Sequence, residues 1–197
     1  EVVLDDIGAD CIKTGMLHRQ EVLEVVADAI EAKAPGVPVV VDPVMVAKGG
    51  ARLLRDDTID TLRRRLLPLA RVLTPNLPEA EILAETSIGD RADLERAGAT
   101  LLAQGPEAVL MKGGHMAGDV VRDVLVSAAG TEAFESPRID TAHTHGTGCT
   151  LASAIAAGLA QGLGIRDAVV RARDYVQAAI RTAPGYGGGH GPLNHGH

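Results

Sequence analysis

The chain has 197 residues, of which 46% are hydrophobic, 23% charged and only 2% aromatic, and its formal net charge is −7. This balance suits one α/β domain with a core of Ala, Val, Leu and Ile. An acidic chain with one Phe, two Tyr and no Trp argues against a nucleic-acid partner, since it offers neither a positive field nor stacking platforms, and no apolar run approaches the length of a membrane span.

The two cysteines, Cys11 and Cys149, stand far apart and form no CxxC pair. Neither a zinc site nor a redox dithiol is suggested, and a reducing cytoplasm is expected. Arg63, Arg64 and Arg65 are the only basic run, read as a solvated helix face. The sequence starts with Glu1 rather than Met, inside what reads as the end of a helix, and an N-terminal piece is expected to precede it.

Short apolar runs alternate with longer amphipathic segments. Asp10 to Thr14 is predicted as a strand closing at Gly15. Val22, Leu23, Val25, Val26, Ala29 and Ile30 recur at helical spacing up to the Pro35-Gly36 turn. Val37 to Val41 is a β-branched run without alternation, which fits a strand covered on both faces. Ile59, Leu62 and Leu66 mark a helix, and Arg71 to Thr74 a strand. Pro78 stands in the first turn of a helix through Ala84. Asp90 is placed to cap a further helix carrying Leu94, Ala97, Leu101 and Leu102, and Ala108 to Lys112 is a strand. Val120 to Val126 and Thr131 to Pro137 then read as a hairpin joined by Ala129-Gly130. Two helices follow, from about Thr147 to Leu163 and from Asp167 to about Thr182, before a tail rich in Gly and His. Repeated strand-helix units imply a mostly parallel central sheet with helices on both faces, in one domain over 1–197. Ligands of such sheets bind beyond the carboxyl ends of the strands.

The strongest local signal is the string 143–150, His-Thr-His-Gly-Thr-Gly-Cys-Thr, which opens a long apolar helix. Gly146 and Gly148 let the backbone turn tightly and present N–H groups in one direction. The helix N-terminus adds partial positive charge, so the string suits a phosphate or the charge developing on one. A glycine-rich helix start capped by Thr147 accounts for it equally well. Cys149, in the first turn, would have its thiol acidified by the helix and could take a proton from an attacking hydroxyl; a small buried residue is the commoner role for a lone cysteine. Glu79, three residues after Asn76 at a strand-to-helix turn, can serve magnesium through water or simply favour the helix dipole. Asp42 ends a buried strand and is a metal or phosphate partner or a turn-forming Asp-Pro. Lys112 can neutralise a nucleotide phosphate or stand solvated. The histidines of 143–145 and the tail match no standard zinc spacing.

The strings KTGML (13–17), VDPVMVAKGG (41–50), LTPNLPEAE (73–81), VLMKGGH (109–115), HTHGTGCTLASAIAAGLA (143–160) and GHGPLNH (189–195) closely resemble, in family order, the hydroxymethylpyrimidine/phosphomethylpyrimidine kinases of thiamine biosynthesis, in the ribokinase-like superfamily. Most ribokinase-like enzymes carry Asp where this chain has Cys149. The resemblance implies ATP-dependent phosphorylation of 4-amino-5-hydroxymethyl-2-methylpyrimidine and of its monophosphate. It implies Cys149 as catalytic base and the backbone of Gly146, Thr147 and Gly148 as the anion hole. Asp42 and Glu79 would organise Mg²⁺ and phosphates, Thr74 and Lys112 would face the ATP, and Met16 and Val44 would line the pyrimidine pocket. A homodimer is implied too. Family members begin with a further glycine-rich segment that this sequence lacks, which is expected to supply a first strand and part of the substrate lid. Rival readings are a pyridoxal or pyridoxine kinase of the same fold, a non-catalytic pyrimidine-binding module, and a structural role as a truncated subunit.

Overall fold

The computed structural model describes residues 2–46, 53–114, 116 and 118–197. A short helix α1 (Val2–Asp6) leads into β1 (Ile12–Thr14), α2 (Gln20–Lys33), β2 (Val39–Val41), α3 (Asp56–Thr61), β3 (Val72–Leu73), α4 (Leu77–Ala84), α5 (Arg91–Leu102) and β4 (Ala108–Met111). The hairpin β5 (Val120–Ser127) and β6 (Gly130–Pro137) follows, and then α6 (Thr147–Ala160) and α7 (Ile165–Arg181). Among the described residues the sheet has six strands in chain order, β1 to β6. β1 to β4 run parallel, and β5 and β6 are antiparallel to their neighbours.

The absence of alternation in the Val39–Val41 run has a direct cause. Val39 and Val41 join the core beneath α2 to α5, while Val40 joins the core beneath α6 and α7. Successive side chains point to opposite faces, so a strand covered on both sides must be apolar throughout. α2 buries Leu23, Ala27 and Ile30; Val25, counted with its apolar stripe, faces solvent at 66% exposure. Asp90 caps α5 as expected, in a reciprocal capping box with Asp93.

Three local expectations need correction. The helix after α3 continues as a π-helical turn, Leu62–Leu66, and a 3-10 turn, Leu67–Leu69. The arginines there are not a merely solvated face: Arg63 donates to the carbonyls of Ile82 at 2.7 Å and Leu83 at 3.2 Å and pairs with Glu85. It thereby satisfies the carboxyl end of α4, where Glu85 is left-handed. Arg65 pairs with Asp28 and Glu31 of α2. Finally, α6 stops at Ala160, three residues before Leu163, because Gly162 turns the chain at φ +83°. No described helix is long and apolar enough to cross a membrane.

Candidate active site

The face of the sheet beneath α6 and α7 carries Val40, Val72, Ala108 and Leu110. At the carboxyl ends of these strands the same parity places Asp42, Thr74 and Lys112 on that face, with Lys112 one step further out, opposite Asn76. Lys13 stands opposite Val40 in register and so belongs to that face as well. Strand periodicity alone therefore gathers these four polar residues under the amino end of α6.

Asp42 is 2% exposed, and a buried carboxylate needs partners. Its Oδ1 accepts from the Lys112 ammonium at 3.0 Å and from Thr74 Oγ1 at 3.3 Å. Its Oδ2 lies 3.8 Å from the Lys13 ammonium. Asp42 is thus held in an ion-paired cluster, beyond a turn-forming role. Lys112 is likewise paired and mostly buried rather than solvated.

Glu79 serves the local structure first. With Asn76 it forms the capping box of α4: Asn76 Oδ1 accepts from the Glu79 amide at 3.0 Å, and Glu79 Oε2 accepts from the Asn76 amide at 2.8 Å. Oε1 accepts from the Met45 amide at 3.1 Å, tying the segment after β2 to the start of α4. Burial pushes the Glu79 carboxyl above its ordinary range, with the nearby Asp42 charge adding to the rise; Lys112 and the two amides oppose it.

The amino end of α6 carries no side-chain cap. Gly146 is the N-cap residue at φ +82°, a left-handed turn that suits glycine. Thr147, expected as a cap, instead donates its hydroxyl back to the Thr144 carbonyl at 2.8 Å, so its side chain does not cap the helix. The Lys112 ammonium lies 3.1 Å from where a Cβ on Gly148 would sit; the lysine thus spans from Asp42 to the helix's first turn. Cys149 is exposed rather than buried. It opens onto a groove of about 550 Å³ lined also by Thr150, Ser153, Tyr175 and His195. The tail string backs this loop: His145 donates its amide to the Gly191 carbonyl at 3.2 Å and bridges to Pro192, while Leu193 is buried.

Met16 is 54% exposed, beyond β1. Val44 is half-buried beside Met45, with its backbone at φ +41°. Residues 47–50 of the VDPVMVAKGG string and His115 lie outside the described residues. The sequence marks Lys13 as a polar strand-end residue at the head of the KTGML string, but reading it residue by residue gave it no role. The same reading missed Asp123 of β5, which accepts from the Gly113 amide at 2.9 Å, directly after Lys112, and from Arg173 of α7 at 2.8 Å. No local pattern marks that long-range pair.

The sequence profile of the phosphomethylpyrimidine kinase family matches residues 1–194. The hydroxymethylpyrimidine/phosphomethylpyrimidine kinase of Streptomyces coelicolor is 48% identical over 194 residues, covering 98% of this chain and 71% of its own length. The thiamine biosynthesis bifunctional protein ThiED of Geobacter sulfurreducens is 48% identical over 196 residues, which cover 99% of this chain and 40% of that protein. Among solved structures, the ADP complex of Bacillus subtilis pyridoxal kinase superposes with a TM-score of 0.90 at 37% identity, over 97% of this chain and 72% of that one.

Proposed function

The chain belongs to the phosphomethylpyrimidine kinase family, and from that membership we propose that it transfers the γ-phosphate of ATP to 4-amino-5-hydroxymethyl-2-methylpyrimidine and then to its monophosphate, in thiamine biosynthesis. The observation that carries the reading is the juxtaposition of Lys112 with both Asp42 and Gly148. A phosphate on the amides of Gly146, Thr147 and Gly148 would meet the ammonium as a point charge, with the helix dipole behind it. Cys149, exposed in the same turn, takes the proton of the attacking hydroxymethyl group as base. The proton goes to the thiolate sulfur, the substrate oxygen bonds to phosphorus, and the bond to the ADP oxygen breaks. Catalysis is mainly positioning and electrostatics, with no phospho-enzyme.

The donor set fits Mg²⁺. Asp42 Oδ2 engages Lys13 only as an ion pair, so it can serve a cation directly. Both Glu79 oxygens accept backbone amides, so its remaining lone pairs suit a water-mediated contact. When bound, the ion would offset phosphate charge. Met16 and Val44 are assigned to the pyrimidine pocket and Thr74 to the nucleotide side. Residues 1–197 are read as one kinase domain, acting in the cytoplasm as a homodimer.

The likeness to a pyridoxal kinase favours a second reading, pyridoxal as acceptor at the same site. ADP release with each ring offered separately tests both, with Cys149→Ala alongside. Turnover on the pyrimidine that falls about 10²–10⁴-fold in the variant supports the first reading. Turnover on pyridoxal alone replaces the substrate, and a folded protein that binds the pyrimidine without turnover refutes the kinase.

A further inference from the structure

The two oxygens of Asp42 are not equivalent. Oδ1 accepts from Lys112 and Thr74 at 3.0 and 3.3 Å. Among the described residues, Oδ2 faces only the Lys13 ammonium, at 3.8 Å, beyond hydrogen-bond range. Lys13 is not a solvated lysine that happens to lie near. Its side chain is 19% exposed and folds back over its own turn, with Nζ 3.2 Å from where a Cβ on Gly15 would sit. Gly15 leaves room for that path.

We propose that Lys13 is a resident counter-ion, holding the cation position at Asp42 Oδ2 until a nucleotide brings a divalent metal. The proposal rests on the kinase reading and adds an order of events to it. Two ammoniums and the positive end of α6 surround the nearly buried Asp42, and the buried Glu79 carboxyl, whose proton is held more firmly than usual, offsets them only in part. A bare dication entering there meets like charge at short range in a medium of reduced dielectric. Magnesium is usually held by one or two carboxylates together with substrate phosphates. A polyphosphate supplies the missing negative charge. Its oxygens take up the Lys13 and Lys112 ammoniums and the α6 amides, and Oδ2 is released to the ion that arrives with it. Lys13 is therefore a positioning residue, acting through Asp42 on the metal and through its charge on the phosphates.

The consequence has opposite signs in two measurements. Without Lys13, a divalent ion should bind the nucleotide-free protein more tightly, whereas the metal–nucleotide complex should bind more weakly. A lysine needed only for local structure would weaken both. The test uses Mn²⁺, whose free fraction is read by electron paramagnetic resonance, and calorimetry of Mn·ADP, on the wild type, Lys13→Met and Lys13→Arg. The expected result is Mn²⁺ affinity about tenfold higher and Mn·ADP affinity about tenfold lower in Lys13→Met, with Lys13→Arg close to wild type in both. Lys13→Gln replaces the Met variant if circular dichroism shows that variant unfolded. Mn²⁺ affinity that is unchanged or reduced without the lysine overturns the proposal. A wild type that takes up no Mn·ADP and neither ring refutes the kinase reading separately; the Mn²⁺ comparison still decides whether Lys13 guards Oδ2.

Discussion

Arg173 of α7 donates to Asp123 of β5 at 2.8 Å, and the other oxygen of that carboxylate holds the amide of Gly113, the residue after Lys112. The pair is nearly buried, with side chains 11% and 10% exposed, and Arg173 also reaches the Phe134 carbonyl. The aim of Lys112 is thus set partly by a helix more than 50 residues away. Removing one partner leaves the other buried and uncompensated. Asp123→Leu and Arg173→Met should each cost about 3–5 kcal/mol in urea denaturation, and the two together clearly less than the sum. Additive losses would mean that the two groups act independently.

Gly113 is constrained by its surroundings. A Cβ there would lie 1.7 Å from the Arg122 carbonyl oxygen, whereas one on Gly114 would meet nothing within 4 Å. Gly113→Ala should therefore lose about 1–3 kcal/mol or more and raise the KM for ATP, because the backbone bearing Lys112 must move. Gly114→Ala should match wild type in thermal unfolding and in nucleotide KM.

Burial raises the Glu79 carboxyl pKa in the folded protein. The folded state then holds its proton to higher pH than the unfolded chain does. Between the ordinary value, about 4.3, and the raised one, stability falls as pH rises; above the raised value the full penalty of ionisation remains. Denaturant titrations across that window should show this fall in the wild type and lose it in Glu79→Gln. The variant also gives up one accepted amide of the capping box, which lowers its stability by about 1 kcal/mol at all pH values. An identical slope in both proteins would remove Glu79 as its source.

Val44 is a β-branched residue at φ +41°, a conformation that costs L-residues about 1–2 kcal/mol. Val44→Ala loses the side chain and keeps the strain, while Val44→Gly loses both. The usual ranking should therefore invert, with Val44→Gly at least as stable as Val44→Ala by thermal melting. Both should raise the KM for the ring substrate if Val44 lines its pocket.

The fold was legible where physics is local. The unbroken Val39–Val41 run, Asp90 at a helix start and the turn residues around Gly130 each carry their own structural reason. The strand-end position of Asp42, Thr74 and Lys112 followed from the same patterning. Legibility failed where the reason is distant. Thr147 has the composition of a cap, yet its hydroxyl turns back to Thr144 because Gly146 takes the cap position. The arginines of 63–65 look solvated in a helical pattern, but a π-helical turn aims Arg63 at the end of another helix. Asp123 and Arg173 are separated by 50 positions, and neither is distinctive alone.

Strand order in the sheet follows chain order, so each new strand is laid against the one just made. The face that carries Lys13, Asp42, Thr74 and Lys112 is nonetheless closed only by the last two helices. The amides that complete the site come later, with α6, and the loop before them gains its backing only when 191–193 arrive. A chain ending at β6 would leave that face, apolar in its middle and charged at its edge, without a cover.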